Sequence, residues 1–139
     1  MQDDRLKNSL GYALVRAFRM VNRASGRALQ PFGLSPEQAH ILLVLWNEGP
    51  MKVGELQRVL ALGSATLTGA LDRMEKANLV RRVSDKADGR AFRVEPVSFD
   101  PRKRAAIEKT LIEMEDACFG ALSAREQKEL MRLLTKIAT

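Results

Sequence analysis

The sequence predicts a mainly α fold carrying one small β-hairpin, an α+β class. Three observations predict it. Apolar residues recur at helical spacing over most of the chain. Two short helical patterns are joined by the tight turn "ALGS", Ala61 to Ser64. Directly after them, "VRRVSDKADGRAFRV" (Val80 to Val94) places two β-like runs on either side of a polar turn, with Phe92 and Val94 alternating with Arg93 and Glu95.

Taken in order, Leu6, Leu10, Leu14, Phe18, Val21, Ala28 and Leu29 form the apolar stripe of a long first helix that ends near Pro31 and Gly33. Gly11 and Gly26 weaken it by roughly 1 kcal/mol each relative to Ala, so packing has to supply its stability. "SPEQ" opens the second helix, with Ser35 as cap, Pro36 at the first helical position and Gln38 completing a capping box. The run "AHILLVLW" is apolar almost all round, and Gly49-Pro50 ends it. A third helix spans about Val53 to Leu60, with Val53, Leu56, Val59 and Leu60 inward. A fourth runs from about Ser64 to Asn78, with Leu67, Ala70, Leu71 and Met74 inward and Thr66, Thr68, Gly69, Asp72, Arg73 and Lys76 outward. Pro96, which cannot donate to a ladder, belongs at an edge or a strand end. After Asp100-Pro101, a fifth helix carries Ile107, Leu111, Met114 and Cys118 on one face. "SARE", Ser123 to Glu126, is a second capping box and starts a last helix with Leu130, Leu133, Leu134 and Ile137 inward.

At 139 residues this is a single domain. The formal charge of +6 favours a polyanionic partner. The excess is local: residues 52–104 hold twelve Lys/Arg against seven Asp/Glu, and residues 105–139 hold five against six. One cysteine excludes a disulfide framework within the chain and fits a reducing compartment. There is no long apolar run for a membrane span and no secretory signal at the start, which together read as a cytoplasmic protein. One His and one Cys cannot assemble the usual zinc site, and neither a nucleophile triad nor a phosphate-binding glycine loop is present. No cofactor and no enzymatic activity is expected.

Helix-turn-helix followed by a hairpin reads as a winged helix. "GLSPEQAHILLVL", "SATLTGALDRMEKANLVRR", the Asp88-Gly-Arg90 step within "DKADGRAFRV" and "LSAREQKELMRLL" occur in an order and spacing that resembles the MarR family of bacterial transcription regulators over nearly the full chain. The resemblance implies a single domain over 1–139. Its winged helix-turn-helix DNA-binding lobe covers 34–99, flanked by dimerisation helices at 1–33 and 100–139. It also implies a homodimer that grips double-stranded DNA, usually represses genes, and releases the duplex when a small-molecule effector, a metal or an oxidant acts on the protein. By position, the effector pocket would draw on Tyr12, Arg16, His40, Leu43 and Trp46. Two departures from the family stand out: Gly69 sits where a basic residue is common, and "EPVSFDPRK" replaces the usual end of the wing.

The residues themselves suit DNA. Ser64, Thr66 and Thr68 stand at the N-terminal turn of the fourth helix, where free N–H groups and the helix dipole favour phosphate, and Arg73 lies two turns on. Arg81, Arg82, Lys86 and Arg93 read as phosphate neighbours. Arg90 at the hairpin tip suits a narrow minor groove, and Asp88 can hold its guanidinium in a bidentate pair before DNA arrives. The plainer alternative for Asp88 is an Asp-Gly turn with incidental charges. His40 is read as a packed core or interface residue rather than a ligand, and Cys118 as a small buried hydrophobe rather than a redox sensor. Two functions remain: a dimeric, sequence-specific, ligand-responsive repressor acting on a pseudo-palindromic site, or a winged-helix dimer without base specificity, serving as an interaction module or non-specific DNA binder.

Overall fold

The computed structural model describes residues 4–85 and 87–138, and for residues 88–91 only the course of the chain. The elements are α1 (Leu10–Leu29), a 3-10 turn (Gln30–Phe32), α2 (Pro36–Glu48), β1 (Met51–Lys52), α3 (Val53–Leu60), α4 (Ser64–Lys76), β2 (Val80–Asp85), β3 (Asp88–Pro96), α5 (Pro101–Phe119) and α6 (Ala124–Ile137). The fold is mostly helical with one small antiparallel sheet, as the fold class requires.

Local chemistry sets the helix limits. α1 begins at Leu10, one turn later than its apolar stripe suggests, because the Ser9 hydroxyl accepts from the Tyr12 backbone N–H at 3.2 Å and fixes the start there. Both expected capping boxes form. The Ser35 hydroxyl accepts from Gln38 N–H at 3.2 Å while Gln38 Oε1 accepts from Ser35 N–H at 3.1 Å. Ser123 and Glu126 make the same exchange at 3.1 and 2.9 Å. Gly49, at φ 83°, ends α2 in a conformation that a side chain would disfavour. α4 stops at Lys76, two residues short of the expected Asn78, which instead turns the chain at φ 60°.

The core lies in the middle of the chain. Leu29, Ile41, Leu42, Leu45, Leu56, Leu67, Leu71, Met74, Val80, Val94 and Ile107 are fully buried side chains. The inward stripe of α4 is as expected. Val59 is a correction: it is 56% exposed, because only one face of the eight-residue α3 packs inward, through Leu56 and Leu60. The sheet order is β1-β3-β2, so the hairpin has a third strand. Met51 pairs with Val94 and Lys52 with Arg93, which ties the wing to the residues leading into α3. Pro96 is the last residue of β3, opposite Val80. α5 runs beside α1, where the Ser25 hydroxyl meets Met114 Sδ at 3.6 Å. Large apolar side chains of the terminal helices stay outside, among them Leu10 at 88%, Phe18 at 63% and Ile137 at 69% exposure.

Candidate nucleic-acid interface

The first turn of α4 is built from small residues and lacks a side-chain cap: Gly63 stands at the N-cap position with no side-chain hydrogen bond. Its leading N–H groups therefore point outward, and the helix dipole concentrates positive potential there. Ser64, Thr66, Thr68 and Arg73 are all exposed on this surface. Gly69 lies between them on the same helix. A β-carbon at Gly69 would sit 3.4 Å from Arg73 Nη1, so the guanidinium lies folded across the bare backbone of that residue.

The turn that aims α4 does not use its glycine for the reversal. Gly63 has an ordinary φ of −67°, and Ala61 adopts the left-handed conformation at φ 53°. The α3–α4 reversal is thus made at a residue that carries a β-carbon.

The wing cations divide into three situations. Arg81 pairs with Glu95 across the strands at 3.2 Å while staying mostly exposed. Arg93 is exposed, and its Nη2 donates to the Pro50 carbonyl at 3.4 Å. Arg82 turns back toward α4: Nη1 lies 2.8 Å from Asp72 and 3.8 Å from Glu75, while Nη2 donates to the Thr68 carbonyl at 3.4 Å. The Arg82 backbone N–H also donates to Glu75 at 3.3 Å. Arg82 is therefore engaged within the protein as a strut between wing and helix, whereas Arg81 and Arg93 present more of their charge to solvent.

Lys86 lies outside the described residues, as do the side chains of Asp88 and Arg90. The acid that is placed near the tip is Asp85. It is buried, accepts from Ala87 N–H at 3.1 Å and faces Lys52 Nζ at 3.7 Å. Lys52, with Gly54, Gln57 and Arg58, also lines a cleft between α3 and the exposed ring of Phe92. Lys52 and Arg58 lie outside the set of cations that the sequence marks for DNA. Their signal was the basic pair bracketing the α3 pattern, "KVGELQR".

The suspected effector residues do not come together. His40 and Leu43 line a cavity of about 440 Å³ with Phe18, Val21, Ser25 and Leu111, between α1, α2 and α5. His40 is exposed at its mouth, which corrects the packed-core half of the reading of that histidine and leaves its interface alternative standing. Tyr12 and Arg16 are exposed farther along α1 and do not line the cavity. Trp46 is elsewhere, packed against Phe99 at 5.2 Å with the Arg104 guanidinium 5.0 Å from its ring centre. Cys118 is half-buried, with Sγ 3.6 Å from Met114 Sδ. Among the described residues there is no group of three or more His, Cys, Asp or Glu side chains placed to hold a metal ion, and no helix is long and apolar enough to cross a membrane.

A helix-turn-helix, an uncapped helix N-terminus and a cation-edged wing on one lobe define a winged helix-turn-helix protein. The chain belongs to the MarR family of transcriptional regulators, whose family model matches residues 34–92. It is 33% identical over 135 residues to the HTH-type transcriptional regulator MgrA of Staphylococcus aureus, covering 95% of this chain and 89% of that protein. It superposes on the crystal structure of a probable transcriptional regulator from Pseudomonas aeruginosa with a TM-score of 0.81 at 29% identity, covering 96% and 99% of the two chains. A MarR mutant from E. coli, solved in complex with operator DNA, shares the fold at a TM-score of 0.82 and 22% identity, with 99% of each chain covered.

Proposed function

We propose that this protein is a homodimeric, sequence-specific DNA-binding repressor that occupies a pseudo-palindromic site and responds to a small ligand. The observation that carries the DNA contact is the bare first turn of α4, with Ser64, Thr66, Thr68 and Arg73 exposed beside Arg81 and Arg93 of the wing. Phosphate is drawn to such a helix end, and small polar side chains there leave room for base edges. MarR-family relatives solved with DNA support the same partner. At the wing tip, Arg90 would enter a minor groove with Asp88 orienting it, a role argued from the sequence alone.

The dimer rests on what α1 and α6 leave uncovered. Leu10, Leu14, Phe18, Met131, Leu133 and Ile137 are all exposed in one copy, and large apolar side chains left on both terminal helices are the kind that a partner covers. A second copy placing its own terminal helices there would bury it. Phe18→Glu should then give a folded monomer by sedimentation; a dimer of unchanged stability would remove α1 from the interface. Ligand response rests on the cavity beside His40 and Leu43, which joins α1 and α5 to the lobe.

Two observations favour the second reading, a winged-helix dimer without base specificity. Gly69 carries no side chain at the centre of α4, and Arg82 is held by Asp72 and Glu75. Both reduce the donors available to bases. Selection of bound sequences from randomised duplexes at about 0.15 M salt decides between the two. A regulator enriches a palindromic motif and favours it over random duplex on the order of 1,000-fold. A flat pool with salt-sensitive binding favours the second reading.

A further inference from the structure

α1 carries four arginines, Arg16, Arg19, Arg23 and Arg27, and no acidic residue between Leu10 and Leu29. All four are exposed. At 100° per residue they fall on one stripe, on the side of the helix away from the buried Ser25 and Leu29. Among the described residues, none of the four makes an ion pair or a side-chain hydrogen bond. Arg16, Arg19 and Arg23 border a shallow trough that also includes Ala13, Ala17 and the exposed Met20.

The contrast with the other long helices sets this stripe apart. In α5, Arg104 pairs with Glu108 and Lys109 with Glu113; in α6, Arg132 pairs with Glu129. Those are the mixed-sign neighbours of an ordinary solvated helix face. α1 instead stacks like charges at i,i+3 (Arg16 and Arg19) and at i,i+4 (Arg19 with Arg23, Arg23 with Arg27), each pair destabilising the helix. The same helix also carries Gly11 and Gly26. An external polyanion would relieve the repulsion. All four cations are arginine, whose planar fork matches phosphate oxygens two at a time.

We propose that Arg16, Arg19, Arg23 and Arg27 form a second, sequence-independent binding surface for the DNA backbone, separate from α4 and the wing. At 1.5 Å per residue the stripe is about 16 Å long. Duplex DNA presents one phosphate charge per roughly 1.7 Å of its axis, so a stripe of that length meets enough phosphates to engage every arginine. The stripe lies apart from the apolar side of α1 that carries Leu14 and Phe18, so covering that side with a second copy leaves the arginines available. The inference rests on the DNA-binding reading and extends it: the protein would hold flanking duplex, or a second duplex, in addition to the segment that α4 reads.

The test measures binding of the full-length protein to a random-sequence duplex as a function of salt. The wild type is compared with R16Q/R19Q/R23Q/R27Q and with R102Q/K109Q/R125Q/K128Q, which removes the same charge from exposed positions of α5 and α6. Circular dichroism verifies that each variant folds. Each lost phosphate contact lowers the slope of log K against log salt by about 0.9, so the α1 variant should lose about 3 to 4 in slope and bind on the order of tenfold or more weakly. The control should keep most of both. Equal losses in the two variants would reduce the stripe to net charge and overturn the proposal. An unchanged slope in the α1 variant would also overturn it, and would turn attention to an acidic protein partner. A changed dimer dissociation constant with unchanged DNA binding would assign the arginines to subunit pairing instead. No duplex binding by the wild type would overturn the DNA-binding reading itself, and this inference with it.

Discussion

Arg82 of β2 and Asp72 of α4 meet at 2.8 Å, and the same guanidinium reaches Glu75 and the Thr68 carbonyl. One side chain thereby fixes the angle between the wing and the helix proposed to enter the groove. A cation placed this way would shape the proposed DNA-binding surface without touching DNA, and its two acidic partners offset its charge.

Arg82→Gln and Asp72→Asn should consequently behave alike. Each should destabilise the lobe to urea by about 0.5–1 kcal/mol, the range of a partly exposed ion pair with additional hydrogen bonds. Each should also weaken specific DNA binding with little change in salt slope. Asp72→Asn is the sharper case, since it makes α4 more positive and would tighten binding if charge alone mattered. Tighter binding by this variant, measured by fluorescence anisotropy, would sink the strut.

Gly69→Ala separates stability from binding. Replacing a helical glycine stabilises the fold by up to about 1 kcal/mol. The new methyl would lie 3.4 Å from Arg73 Nη1, an ordinary contact, but it would occupy the surface over which that side chain is folded. Thermal unfolding should shift upward while affinity for the selected site falls severalfold. A rise in both would show that the bare backbone at Gly69 plays no part in recognition.

Ala61→Gly addresses the reversal between α3 and α4. Ala61 holds φ 53°, where a β-carbon costs about 1–2 kcal/mol. Glycine removes that strain and gives back part of the gain through its freer unfolded chain. A net stabilisation of about 0.5–1 kcal/mol by urea titration is expected, with DNA affinity unchanged because the backbone path is kept.

Acid should loosen α6 at its N-terminus. The Ser123 backbone N–H, then its hydroxyl, hold the Glu126 carboxyl below its ordinary value of 4.5. A carboxylate whose folded pKa is depressed contributes stability that is present above the unfolded pKa and is lost as pH falls through the folded one. Glu129, lowered by its bond to Arg132, acts in the same sense. Helicity followed by circular dichroism should therefore decline below about pH 4.5. Glu126→Gln, whose amide oxygen keeps the capping box, should blunt that decline. An identical acid limb in the variant would place the pH dependence elsewhere.

Most of the fold was legible in the sequence because local rules determine it. Ser35 with Gln38 and Ser123 with Glu126 announce two helix starts, and the period of Leu67, Ala70, Leu71 and Met74 gives the buried face of α4. β1 was not legible. Two residues have no periodicity, and Met51 becomes a strand only because Val94 lies beside it. The same limit applies to side-chain direction. Arg82 resembles its neighbour Arg81 in sequence, yet strand alternation sends one toward Asp72 and the other toward Glu95. The resemblance places Trp46 with His40 and Leu43 by position, but its place on α2 turns it to Phe99 instead. Which residues share a cavity depends on how α1 and α5 cross α2, and the spacing along any one helix does not contain that.

The packing around Trp46 carries a practical consequence. It is the one tryptophan of the chain, and it sits where the end of α2 meets the start of α5, between the ring of Phe99 and the cation of Arg104. Any tilt of the lobe against α5 changes what faces the indole. The molecule thus contains an intrinsic optical reporter at this junction, whose emission depends on how the lobe packs against α5 and needs no attached dye.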